Sequence, residues 1–250
     1  MTATTLLSVD AVTRRFGGLV AVNNVSIDLR LGEVHAVIGT NGAGKSTLIN
    51  MLSGEIGASA GRITLDGQDI TQRAQFRRAR AGIGRSYQRT TIFPEFTVLE
   101  NCRLAAQAAT PRPWAIWEAS HECAISNGAA REALAAAGLD DVASRIAGTL
   151  SHGAKRQLEV AMCLATNPRV LLLDEPLAGM GAEETERMLA LLASLKATHA
   201  ILLVEHDMDA VFRIADRITV MVNGAVIATG DPASIRVNPD VRTAYLGEEH

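Results

Sequence analysis

Gly39-Thr-Asn-Gly-Ala-Gly-Lys-Ser-Thr47 decides the reading of this chain. It fits Gly-x4-Gly-Lys-Ser/Thr, with Gly39, Gly44, Lys45 and Ser46 in the fixed places. The flanks agree. The mostly apolar Val34-His-Ala-Val-Ile38 before it reads as a strand, and Ser46-Thr-Leu-Ile-Asn-Met-Leu52 opens a helix. Glycines let the backbone close around an anion with its amides turned inward, and a helix start adds partial positive charge. Asn41, Gly42, Ala43, Gly44 and Thr47 are expected to contribute to this cradle. Lys45 is expected to reach the β- and γ-phosphates of a nucleoside triphosphate, and Ser46 the accompanying Mg²⁺.

Val170-Leu-Leu-Leu173 runs into Asp174-Glu175-Pro176. Across a parallel sheet from the loop, Asp174 is expected to hold Mg²⁺ directly or through water. Glu175 points differently and is expected to polarise the attacking water. Leu203-Val-Glu-His206-Asp-Met208 again puts polar side chains after a buried strand, and His206 is expected to reach the γ-phosphate and orient Glu175. Thr149-Leu-Ser-His-Gly-Ala-Lys-Arg-Gln-Leu-Glu159 is a further anion-binding pattern: Ser151 caps a helix and Gly153 admits close backbone approach. A helical lobe separates this segment from the 39–47 loop, so a head-to-tail dimer is expected to supply Ser151 from the second chain.

With 250 residues, 48% of them apolar, the chain suits one large domain with a sizeable core. Its formal charge of −3 and 4% aromatics give no general pull towards nucleic acid, which is not an expected partner. Arg73, Arg77, Arg78 and Arg80 read as a solvated helix face, with a basic patch that serves a partner as the alternative. Three cysteines without a CxxC pair fit a reducing, cytoplasmic setting. No apolar run reaches about eighteen residues, so the chain is not expected to cross the bilayer by itself, which leaves open docking onto a protein that does.

Leu6–Val9, the alternating Val25, Ile27 and Leu29, and Ile63 with Leu65 predict a small antiparallel sheet beside the nucleotide core. The unbroken runs at 170–173 and 201–204, separated by a helical pattern over Glu183–Leu195, predict buried parallel strands with a crossover. Asn223-Gly224 predicts a hairpin between Ile218–Val222 and Ala225–Ala228. From about 97 to 150 the sequence turns alanine-rich, with helices expected at Val98–Ala109, Ala115–Ser126 and Ala129–Ala137. Trp114 and Trp117 are expected to pack on one helix face within that lobe. The expected fold is α/β: a P-loop nucleotide-binding core with a mixed sheet, an N-terminal antiparallel β subdomain and an inserted α-helical subdomain, all within a single domain over 1–250.

Taken together, these segments resemble the nucleotide-binding subunits of ATP-binding cassette transporters along nearly the whole chain. Gly39–Thr47 resembles the Walker A motif, Asp174 and Glu175 the Walker B aspartate and catalytic glutamate, and His206 the switch histidine. The resemblance implies that Gln88, in Ser86-Tyr-Gln-Arg-Thr-Thr-Ile-Phe93, senses Mg²⁺ and links core to lobe. It implies that Phe16 stacks on adenine with Val22 packing nearby. Leu150-Ser-His-Gly-Ala154 resembles the signature Leu-Ser-Gly-Gly-Gln with His152 and Ala154 substituted, and Ala178-Gly-Met-Gly181 departs from Ala-Gly-Leu-Asn/Asp. Gly181 therefore offers no side chain for bonding across the dimer. Phe16–Asn24, Phe93–Asn101, Val204–Met208 and Asn238–Gly247 resemble the branched-chain amino acid importer group, whose members also serve urea and short amides. The resemblance implies a Mg²⁺-dependent ATPase at the cytoplasmic face of the inner membrane. Its implied partners are a second ATPase subunit, two permease subunits and, indirectly, a periplasmic solute-binding protein. A lipopolysaccharide-extracting ATPase, a soluble ATPase acting on DNA or ribosomes, and a regulatory subunit without turnover are the other readings.

Overall fold

Alternation at the N-terminus folds into a hairpin of β1 (Thr5–Phe16) and β2 (Leu19–Arg30). With β4 (Ala60–Leu65) and β5 (Gln68–Asp69) it makes an antiparallel sheet of order β2-β1-β4-β5. The computed structural model describes residues 4–88, 90–109 and 123–246. In a second, six-stranded sheet, β3 (Val34–Gly39) lies between β8 (Ala200–Val204) and β9 (Arg217–Val222). β7 (Val170–Asp174) and β6 (Ile83–Arg85) extend it in parallel, and β10 (Ala225–Gly230) closes the other edge antiparallel. The predicted hairpin turn is present, with Asn223 and Gly224 both at positive φ.

Every position of β3, β7 and β8 is buried, because both faces of this sheet are covered. Period-two alternation divides their side chains. Val170, Leu172, Leu202 and Val204 face α1 (Lys45–Ser53) and the antiparallel sheet. Leu171, Leu173, Ile201 and Leu203 join the cluster of α3 (Val98–Ala109), α4 (Ala124–Ala136), α5 (His152–Ala165) and α6 (Ala182–Leu195). Cys102 and Cys163 lie in that second cluster as thiols, and burial pushes each up to about 12. A shorter α7 (Met208–Ile214) covers part of the β9 side.

Two expectations need correction. Arg78, in α2 (Gln75–Arg80), is not on a solvated face; it is 1% exposed. Its guanidinium donates to the carbonyls of Met51, Leu52, Thr71 and Arg73, so it caps the C-terminal end of α1. No helix break occurs between Ser126 and Ala129. Ser126 and Asn127 turn their side chains back to the Cys123 carbonyl at the start of α4, and the helix runs on through Asn127-Gly128. The strand β6 went unread because three residues are too few to show alternation. Trp114, Trp117 and most of the helix expected at 115–126 lie outside the described residues.

Candidate nucleotide site

The end of β3 turns into the 39–44 loop, which delivers Lys45 to the start of α1. Gly44 is at φ +96, and a Cβ there would lie 2.4 Å from the Ala21 carbonyl oxygen, so only glycine allows the loop to seat against β2. Above this loop is an open cleft of about 550 Å³ lined by Phe16, residues 41–47, Gln88, Glu175 and His206. Phe16 is 45% exposed with the Arg14 guanidinium 4.5 Å from its ring centroid, presenting a flat apolar surface at the rim. Val22 is not part of the cleft. It is fully buried opposite Arg14 in the antiparallel sheet, and Leu19, Val20 and Ala21 form that wall instead.

Lys45 Nζ donates to the carbonyls of Gly39 at 2.6 Å and Thr40 at 3.0 Å. Burial lowers its pKa, while Glu175 and Asp174 pull it up. Asp174 ends β7, and its pKa is raised chiefly by burial, against the nearby Arg85 guanidinium at 3.9 Å. Asp174 Oδ1 is buried without a hydrogen-bond partner among the described residues. A carboxylate oxygen left in that state fits a divalent cation; Asp174 is not itself among the residues lining the cleft, whereas the neighbouring Glu175 and the exposed Ser46, which offers a hydroxyl oxygen, are.

Glu175 has φ +51, a left-handed conformation that costs a non-glycine residue about 1–3 kcal/mol. Its carboxylate is held on both sides. His206 Nε2 lies 2.5 Å from Oε1, and Gln88 Nε2 donates to Oε2 at 3.0 Å. Two side chains distant in sequence thus converge on one acid. Below them the buried Glu205 accepts from the amides of Leu177 at 2.7 Å and His206 at 3.1 Å, and burial raises its pKa.

Ser151 and Gly153 lie outside this cleft. Ser151 caps α5 as expected, with its Oγ accepting from the Ala154 amide at 3.2 Å. Further along α5, Arg156 donates to the carbonyls of Tyr87 at 3.0 Å and Gln88 at 2.6 Å and pairs with the buried Glu159 at 2.9 Å. Sequence reasoning passed over Arg85, Arg156, Glu159 and Glu205. A glutamate directly after a fully apolar strand was a readable sign for Glu205; the others carry no local sign.

The ABC transporter family model matches residues 22–178. This chain belongs to the ABC transporter family. A second model, that of the branched-chain amino acid ATP-binding cassette transporter, matches residues 225–250. The high-affinity branched-chain amino acid transport ATP-binding protein BraF of Pseudomonas aeruginosa is 41% identical, over 97% of this chain and 98% of its own length. LivG of Escherichia coli, with the same description, is 42% identical over 97% and 98%. A nucleotide-free ATP-binding cassette from an ABC transporter superposes with a TM-score of 0.87 at 30% identity, covering 98% of this chain and all of that one. The ADP conformation of an ATP-binding cassette gives 0.85 at 31%, over 98% and 100%. As an ABC ATPase, the chain binds nucleotide. Among the described residues no helix is long and apolar enough to cross a membrane.

Proposed function

We propose that this ABC ATPase hydrolyses ATP at sites shared by two head-to-tail subunits, on the cytoplasmic face of the inner membrane, and drives import of branched-chain amino acids or related small polar solutes. The convergence of His206 and Gln88 on Glu175 carries this reading, because it holds a carboxylate beside the phosphate loop as a general base for water. Phe16 stacks on the adenine, the amides of residues 41–47 surround the phosphates, and Lys45 leaves the Gly39 and Thr40 carbonyls for the β- and γ-oxygens. Ser46, Asp174 and Gln88 hold Mg²⁺, which neutralises charge developing on the phosphates. Ser151 and Gly153 reach the γ-phosphate on the partner chain.

The inserted helical subdomain expected over 97–150 connects to Gln88 by way of α5, which packs in one cluster with α3 and α4 and carries Arg156. Just beyond Gln88, the exposed Phe93 and Phe96 stack with centroids 5.6 Å apart and offer permease subunits an apolar contact. The solute assignment is supported by the likeness to BraF and LivG and by the 225–250 match.

A mixed dimer of one chain carrying Ser151→Arg and one carrying Lys45→Ala tests the shared site. If Ser151 acts in trans, one site is intact and the other carries both lesions, so single-turnover hydrolysis proceeds at one site. If Ser151 acts in cis, each site is damaged and trapped nucleotide cross-links to Lys45 and Ser151 of the same chain. The solute is tested in the reconstituted complex with its periplasmic binding protein. Stimulation of hydrolysis by leucine supports the assignment, and stimulation by urea or a short amide alone replaces it.

A further inference from the structure

The start of α5 already holds an anion from its own chain. Glu184, in the first turn of α6, accepts at Oε1 from Ser151 Oγ at 2.9 Å and from the Gly153 amide at 3.1 Å. The hydroxyl proton is thereby committed to Glu184, while the Ser151 oxygen accepts from Ala154. This contact needs glycine, since a Cβ on Gly153 would lie 2.4 Å from the Glu184 carboxyl carbon. The same turn also grips in the other direction. His152 Nε2 donates to the Ala178 carbonyl at 3.0 Å, with its ring against Gly179, where a Cβ would come within 3.1 Å of Nε2. Two side chains mesh with two glycines, and the 151–153 turn closes on the 178–184 segment.

We infer that Glu184 is a positioning residue that occupies the phosphate seat formed by Ser151 and Gly153 until the γ-phosphate of the partner's nucleotide displaces it. This rests on the shared-site reading above. A carboxylate and a phosphate cannot occupy the same two donors, and their like charges add repulsion. While it is seated, Glu184 keeps hydroxyl and amide aligned for an anion. The Ser151 bond is the largest cause holding its carboxyl below the ordinary range, followed among the favourable contacts by the Gly153 amide. On leaving, it loosens α6 from α5 on the stretch that follows Glu175-Pro176. Nucleotide arriving on the partner is then felt beside Glu175 of this chain, without any side chain at Gly181.

ATP-dependent pairing of the full chain in a Glu175→Gln background, followed by size-exclusion chromatography with light scattering, tests the displacement. Adding Glu184→Ala is expected to lower the ATP concentration for half-maximal pairing by about fivefold, because a charged competitor is removed. Glu184→Gln, a neutral acceptor, is expected to lower it less. A contact that only supported the fold would act in the opposite sense, so an unchanged or raised ATP requirement overturns the inference. Ser151→Arg in the same background separates the two levels. Intact pairing there, or no pairing by the parent, overturns the shared site and the displacement with it. Abolished pairing there, together with a raised requirement in Glu184→Ala, overturns the displacement alone. In the NMR spectrum of the nucleotide-free chain, Glu184→Ala is expected to move the Gly153 amide proton upfield, and an unmoved resonance overturns the seating.

Discussion

Arg156 donates to the Gln88 carbonyl at 2.6 Å, and the Gln88 side chain donates to Glu175 at 3.0 Å. One residue therefore lies between the helix that begins at His152 and Glu175, the acid just past the end of β7. Rotation of α5 has a direct mechanical route to the proposed general base.

Arg156→Ala is expected to destabilise the chain by about 3 kcal/mol, because it strands the buried Glu159 carboxylate as well as two carbonyls. Arg156→Lys, with a point charge in place of a fork, recovers only part of this. Urea unfolding midpoints at neutral pH measure both. A midpoint unchanged in the alanine variant would show that the Arg156–Glu159 pair does not support the fold.

Glu175→Gln keeps the size of the side chain and its contacts while removing the base. Turnover is expected to fall about 10²–10⁴-fold, with ATP affinity retained and a closed dimer accumulating. Phosphate release under saturating ATP and Mg²⁺, alongside equilibrium binding, checks this; normal release would remove Glu175 from the role.

Arg78→Lys is expected to cost about 2 kcal/mol, although charge is conserved, because an ammonium cannot serve four carbonyls in the geometry of a guanidinium. Thermal unfolding monitored by circular dichroism gives the measurement. Loss of this cap also loosens the C-terminal end of the helix that carries Lys45, so a weaker nucleotide affinity is expected beside the lower stability.

His35 gives the chain a dependence on acid. Its Nδ1 donates to the Asp28 carbonyl at 3.0 Å and its Nε2 accepts from Thr219 at 2.8 Å, an arrangement for the neutral ring. Burial, aided by Arg217, lowers its pKa from 6.5 to about 4. Between those values the unfolded chain carries a proton that the folded chain lacks. Stability therefore rises with pH across this window, and about 3 kcal/mol is lost as pH falls through it. Urea midpoints at about pH 4.5 and about pH 7.5 are expected to differ by less in His35→Gln than in the parent. Equal differences in the two proteins would remove His35 as the cause.

The parts of this architecture legible in sequence were those governed by short-range rules. Gly39 to Ser46 has fixed spacing, Leu171 to Asp174 is an apolar run ending in acid, and Asn223-Gly224 is a turn with one favoured geometry. What escaped was set by contacts across the fold. Arg78 looks like any exposed helical arginine until the carbonyls of Met51 and Leu52 arrive from another helix. Val22 alternates correctly, but its burial depends on where the strand meets the phosphate loop, and Ala21 makes that meeting. Glu184 reads as an acidic residue suited to a helix start, while its hydroxyl partner is Ser151, over thirty residues away.

Cys102 also gives the molecule an internal clock. The thiolate is the reactive form, and a side chain with no exposed surface and a pKa near 12 supplies almost none of it at neutral pH. Alkylation must wait for α3 to lift from α4 and α5, so with reagent in excess the labelling rate counts how often that packing opens. The same count, taken with and without nucleotide, times the breathing of the helical layer directly, with no dye or engineered residue.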